Sequence, residues 1–425
     1  MTEQQIAGGR PSVRIERESV VASYNAAFPA VFHKAVGSRL YDADGRAYVD
    51  FFSGAGANNS GHNAPALKQA LIDYISDDGI CNSLDLTTVT KQRFVQAFTE
   101  VVLNPRGFDH RLMFTGPTGT NAVEAALKLV RKVSGRPTML AFTRGFHGVS
   151  LGALAATSNE HFRNVAGVPL EHVVFLPYDD PTDPDPRTTL EQGFASLDPD
   201  NLPGGAIVEI IQGEGGINAA RPEWLQALRD LTSERGMMLV ADDIQAGCGR
   251  SGTFFSFEPS GIVPDAVTLS KSLSGYGLPL SVVLIRPEFD IWRPAEHNGT
   301  FRGNNHAFVT ATAAIDTYWR DSTLMDDVKR RAARLTEHLE ALVDQHPEHL
   351  VEARGRGYLQ GLVFADHVVA AEVGRAAFDK GLVIERSGPL DEVAKFMPAL
   401  TIDDETLDEG LALFDEALEF VLSGH

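Results

Sequence analysis

The chain has 425 residues, an apolar fraction of 43% and a formal net charge of −20, from 57 acidic against 37 basic residues. That length allows two or three domains around a large buried core. The acidity argues against nucleic acid or an anionic membrane as a partner, because neither offers positive charge to meet it. Cys81 and Cys248 are the only cysteines, too few for a disulfide framework and without a metal-ligand spacing, so no metal is expected. The segment 1–9 lacks a basic stretch followed by an apolar run. No window is apolar enough to cross a bilayer. The expectation is a cytoplasmic protein.

In chain order, residues 38–52 read as two short strands around an Asp44-Gly45 turn. Apolar runs follow at 112–114, 138–142, 173–176, 205–211, 238–241 and 266–269, separated by helical patterns, with one helix over about 121–133. Short apolar runs alternating with helices predict an α/β unit with a mostly parallel sheet sandwiched by helices. Ligands in such sheets sit beyond the carboxyl ends of the strands. The stretch 178–204, rich in Asp and Pro, predicts a surface excursion with one short helix. A long amphipathic helix over 324–345, Gly-punctuated strands near 357–364, and helices over about 367–380 and 403–422 predict a smaller α+β domain. The division expected is a large domain at 61–322 and a small one at 323–425, to which residues 1–60 contribute.

The strand ends carry the chemistry. Thr118, Gly119 and Thr120 lie between a strand and a helix, where small residues and a helix N-terminus can hold a phosphate; a plain turn would use similar residues. After the next strand come Phe146 and His147; an aromatic there can stack on a planar ring, but a Phe in such a place is far more often core, and a lone His more often structural than catalytic. The run 238–241 ends on Asp242 and Asp243. A buried carboxylate needs a positive partner, and a protonated pyridine nitrogen is one; Asp243 can instead cap the following turn. Lys271 is the sole lysine between Lys132 and Lys329, and it follows the run 266–269. A buried lysine shifts its pKa readily, which suits Schiff-base chemistry with an aldehyde. Phosphate nest, aromatic, carboxylate and lysine together are the requirements of pyridoxal 5'-phosphate.

These residues carry a resemblance. Tyr41-Asp42-Ala43-Asp44-Gly45-Arg46, Gln212-Gly213-Glu214-Gly215-Gly216, Asp242-Asp243-Ile244-Gln245-Ala246-Gly247, Ser270-Lys271-Ser272 and His297-Asn298-Gly299-Thr300 occur in this order. In these segments the chain resembles the class III, fold-type I aminotransferases that depend on pyridoxal phosphate, over nearly its full length. The resemblance implies that Lys271 holds the cofactor covalently and shuttles a proton, and that Asp242 pairs with the ring nitrogen. It implies that Gln245 bonds the phenolic oxygen, with Ile244 and Phe146 on opposite ring faces and His147 and Glu209 also at the cofactor. Thr118, Gly119 and Thr120 would hold the phosphate, with Thr300 supplied by the second subunit of a homodimer or larger assembly.

Within the family, the stretches 116–128, 247–258 and 272–279 are most similar to members that transfer the omega-amino group of L-2,4-diaminobutyrate to 2-oxoglutarate, the chemistry of ectoine biosynthesis. Omega-amino transfer from ornithine, 4-aminobutyrate or a diamine of secondary metabolism is the open alternative. One departure stands out. Where relatives with an omega-amine donor usually carry an arginine for the substrate α-carboxylate, this chain has Lys395, with Glu214 as its expected switch partner.

Overall fold

The computed structural model describes Val13 and residues 15–424; the segment 1–9, read above for a leader, lies outside the described residues. Seven strands build the central sheet: β1 (Arg111–Phe114), β2 (Met139–Phe142), β3 (Val173–Leu176), β4 (Gly205–Glu209), β5 (Met238–Asp242), β6 (Ala266–Leu269) and β7 (Val282–Ile285). Their order is β1-β7-β6-β5-β4-β2-β3. From β6 to β3 all neighbours are parallel, while β7 runs antiparallel to both β6 and β1. Alternate residues feed opposite faces. Val208, Leu239, Val267 and Leu284 enter one hydrophobic cluster, and Ile207, Val240, Ala266 and Val283 enter another. Burial on both faces is why these strands read as unbroken apolar runs.

The expected α/β class is therefore observed, with two differences in the strands. β7 was not among the predicted runs; it follows the Gly- and Ser-rich segment after Lys271 so closely that it reads as part of the same loop. The run 205–211 is not one strand. β4 ends at Glu209, where the Tyr178 hydroxyl donates to the carbonyls of Glu209 and Ile210, and Ile211–Gln212 pairs instead with Asn218–Ala219.

Helix α1 (Gly119–Ser134) begins two residues before the predicted start. Thr118 is the N-cap, and Asn121 closes a capping box with it. Val123, Ala126, Leu127 and Val130 of α1 pack on the sheet. The excursion at 178–204 carries the helix Pro186–Ala195 and a single 3₁₀ turn, Pro199–Asn201.

Helices Thr323–Gln345, His367–Lys380 and Asp404–Leu422 accompany an antiparallel sheet ordered Leu350–Arg356, Leu359–Phe364, Val393–Phe396, Glu385–Ser387. The hairpin expected at Asp44-Gly45 forms between Arg39–Asp42 and Ala47–Asp50, and its sheet takes in Leu382–Val383 from the far end of the chain. Val49 and Phe51 share a hydrophobic cluster with Leu335, Phe396 and Phe414. Arg250, fully buried, joins three distant segments by donating to Asn59 Oδ1 and to the carbonyls of Tyr358 and Pro398. Among the described residues no helix is long and apolar enough to cross a membrane.

Candidate active site

The parallel pairing of β5 with β6 sets Asp242 opposite Thr268, so the carboxylate ending β5 and the lysine following β6 leave the same edge of the sheet. Thr268 Oγ1 donates to Asp242 Oδ1 at 3.0 Å, and the Ile244 amide lies at 3.3 Å from the same oxygen. Asp242 Oδ2 faces His147 Nδ1 at 2.7 Å, with both side chains buried. Burial opposes a charge on this imidazole, but the hydrogen bond and charge of Asp242, backed by Glu209, raise the His147 pKa above its ordinary value. His147 is thus a partner of Asp242.

Lys271 opens a 3₁₀ turn with φ +47°, a strained backbone for a side-chain-bearing residue. Its Nζ makes no hydrogen bond or ion pair with any described residue. Burial lowers its pKa, and Lys395 acts in the same direction, against the carboxylates of Glu214, Glu385 and Glu209. The turn is fastened to the N-terminal loop by Ser272, whose hydroxyl donates to the Gly56 carbonyl at 2.7 Å and accepts from the Asn59 amide at 3.2 Å.

The phosphate candidates sit at the start of α1, where first-turn amides lack helical acceptors. Thr118 is exposed, and the Thr120 hydroxyl lies 2.5 Å from Ser150 Oγ, which donates to Glu124 at 2.6 Å. Ser150 is a neighbour of this nest that sequence reasoning missed; its position before the helix Leu151–Ala156 was the available signal. Gly119 has a steric reason: a Cβ there would stand 3.0 Å from Ile244 Cδ1. Ile244 and the start of α1 therefore form one wall.

Phe146 is half-buried and meets Phe162 edge-on at 5.5 Å between centroids. Glu209 acts through backbone, accepting from the Phe146 amide at 2.8 Å and the Gly213 amide at 3.2 Å. Burial pushes its carboxyl up to about 7, aided by the charge on Asp242 and opposed by His147 and the two amides. Asp243 is turned away to Ser256 and does not cap the turn that follows it, and burial raises it to about 7. Gln245 Nε2 donates to the Ala55 carbonyl at 3.1 Å and Glu214 Oε1 at 3.3 Å. A Cβ on Gly213 would lie 1.5 Å from Gln245 Oε1, so a side chain there would displace the Gln245 amide.

Glu214 and Lys395 meet, with Lys395 Nζ 2.9 Å from Glu214 Oε1. Burial works against the carboxylate, yet Lys395 and then Lys271 draw the Glu214 pKa down to about 2. Sequence reasoning missed a second carboxylate: Glu385 Oε2 lies 2.7 Å from the same ammonium. Thr300 is exposed, its carbonyl accepting from Asn82 Nδ2 at 3.0 Å. Among the described residues no group of three or more His, Cys, Asp or Glu side chains is placed to hold a metal ion.

The sheet brings a lysine amine, a strand-end carboxylate and a capped helix N-terminus to one edge. Residues 20–418 match the class-III aminotransferase family, and the chain belongs to it. It is 50% identical over 408 residues to a diaminobutyrate–2-oxoglutarate transaminase of Halalkalibacterium halodurans, covering 95% of each chain. Against the enzyme of the same name from Streptomyces anulatus it is 53% identical over 401 residues, covering 93% of this chain and 94% of that one. Among solved structures it is similar to the ornithine aminotransferase of Toxoplasma gondii, with a TM-score of 0.83, 25% identity, and 97% of this chain and 93% of that one covered.

Glu209 yields a prediction. Folding raises its pKa from 4.5 to about 7, so the folded chain keeps a proton that the unfolded chain releases. That stabilising contribution is complete below pH 4.5 and is lost as the pH rises through about 7. Glu209→Gln flattens this fall, read from urea midpoints of the cofactor-free protein across that range. A glutamine oxygen also serves the two amides less well, so cofactor affinity drops roughly tenfold.

Proposed function

We propose that this aminotransferase depends on pyridoxal 5'-phosphate and interconverts L-2,4-diaminobutyrate plus 2-oxoglutarate with L-aspartate 4-semialdehyde plus L-glutamate by a ping-pong mechanism. The observation that carries the reading is the unpartnered Lys271 amine on the same sheet edge as Asp242 and the α1 terminus. The residues fit the cofactor. The first turn of α1 with Thr118, Gly119 and Thr120 suits the phosphate, Ile244 and Phe146 supply apolar faces for a ring, and Asp242 offers a carboxylate to the ring nitrogen. When bound, the cofactor supplies an electron sink for breaking the C–H bond beside the substrate nitrogen.

The chain's own residues do the rest. Lys271, with its pKa lowered by burial, is suited to take a proton from the substrate carbon and return one. Asp242, held by His147 and Thr268, keeps a proton on the ring nitrogen. Gln245 is within reach of both the N-terminal loop and Glu214, linking cofactor and switch. Glu214 covers Lys395 while the diamine reacts and moves aside when 2-oxoglutarate or glutamate brings a carboxylate.

The diamine assignment rests on the half-identical relatives that bear this name. A homodimer completed by Thr300 of the second subunit fits the exposure of Thr300 and of Phe301 beside it. A cytoplasmic place in ectoine formation fits the chemistry. Two outcomes test the reading. L-2,4-diaminobutyrate converts the bound cofactor to its pyridoxamine form in single-turnover spectra, faster than ornithine or 4-aminobutyrate; no conversion would defeat the substrate assignment. Lys395→Ala raises the Michaelis constant for 2-oxoglutarate at least about tenfold; unchanged constants for both substrates would defeat the switch.

A further inference from the structure

Lys395 is held by more than its switch partner. It lies in the strand Val393–Phe396, directly opposite Glu385 across an antiparallel pair, with Gly361 on its other side. Cross-strand neighbours on one face touch, so the register itself aims the Glu385 carboxylate at the ammonium. Nothing of the kind fixes Glu214, which sits in a glycine-flanked loop after Gln212. Exposure separates the two carboxylates: the Lys395 side chain is 0% exposed and Glu385 is 7% exposed, whereas Glu214 is 32% exposed. Of the two carboxylates, Glu214 is the one that reaches solvent. The remaining oxygen of Glu385, Oε1, accepts from the Tyr24 hydroxyl at 2.6 Å. Burial first, then the charge of Glu385, raises the Tyr24 pKa, so this phenol stays protonated and donates. The Tyr24 ring is seated against Phe28 and Phe52.

We propose that Glu385 is a positioning residue that keeps the Lys395 ammonium charged and in place while Glu214 moves aside for a substrate carboxylate, and that Tyr24 fixes Glu385 for this task. The inference rests on the switch reading above. Its physical basis is the state after Glu214 leaves. An ammonium with no exposure and no counterion sheds its proton, and a neutral amine cannot attract a carboxylate. Glu385 prevents this. An arginine would stay charged unaided and would orient a carboxylate with its planar fork. Lysine has neither property, and the Lys395–Glu385 pair restores the first: Glu385 holds the charge in place while the site vacated by Glu214 receives the substrate.

The test uses the holoenzyme and its Glu385→Gln and Tyr24→Phe variants. Calorimetry with glutarate, a dicarboxylate that cannot react, reads the carboxylate site directly. Single turnovers of pyridoxamine-phosphate-loaded protein with 2-oxoglutarate, and of the resting holoenzyme with diaminobutyrate, read the two half-reactions. Glu385→Gln is expected to weaken glutarate at least about tenfold, and Tyr24→Phe about threefold. The acceptor half-reaction should suffer several times more than the donor one. Unchanged glutarate affinity in both variants, or equal losses in the two half-reactions, overturns the inference. Wild-type protein that neither binds glutarate nor turns over with 2-oxoglutarate overturns the switch reading beneath it.

Discussion

The parallel register of β5 and β6 is the constraint on which the site depends. It places Asp242 opposite Thr268 and so brings a strand-end carboxylate and Lys271 to one edge of a sheet buried on both faces. Side chains of these strands alternate between the two clusters, so a slip by one residue would send each to the opposite face. Polar groups at the edge are then arranged around the amine. Asp242 is committed to His147 and Thr268, Glu209 to two backbone amides, and Asp243 to Ser256. Lys271 alone among them is left without a partner, which is the condition for covalent chemistry at its nitrogen.

A second level of order regulates charge. Three ionisable side chains from separate elements meet in the Glu214–Lys395–Glu385 cluster, and Gln245 ties it to the segment that also carries Asp242. A buried cluster of two carboxylates on one ammonium favours a cation in the substrate-facing position, and removal of one carboxylate restores balance for an anion. An enzyme alternating between a diamine and a dicarboxylate needs such a reversal at one place. On the proposed switch, the lysine would make the reversal depend on its neighbours, where an arginine would not.

Much of this was legible in the sequence where burial leaves a local trace. Lys271 stood out because lysine is otherwise missing from the long stretch around it, and Asp242 because it ends an unbroken apolar run. Helices with a clear apolar stripe fell within a residue or two of their predicted limits, as in Thr323–Gln345 and His367–Lys380. What escaped was set by contacts distant in sequence. Glu385 and Tyr24 are 361 residues apart, and no spacing rule links them. The connection 388–392 carries a Gly388-Pro389 turn signal, but that signal does not set which residues pair across it, and β7 hides at the end of a glycine-rich loop. Glu209 lay inside the run read as 205–211 and was placed at the cofactor by the resemblance alone; its clamp on backbone amides was not legible, because which atoms a carboxylate meets is decided by loops arriving from elsewhere.

The most direct measurement locates the covalent bond. Holoenzyme reduced with borohydride and digested is predicted to give one pyridoxyl-labelled peptide, carrying the label on Lys271. A label on Lys395 or any other lysine, or no label after reduction, would contradict the account.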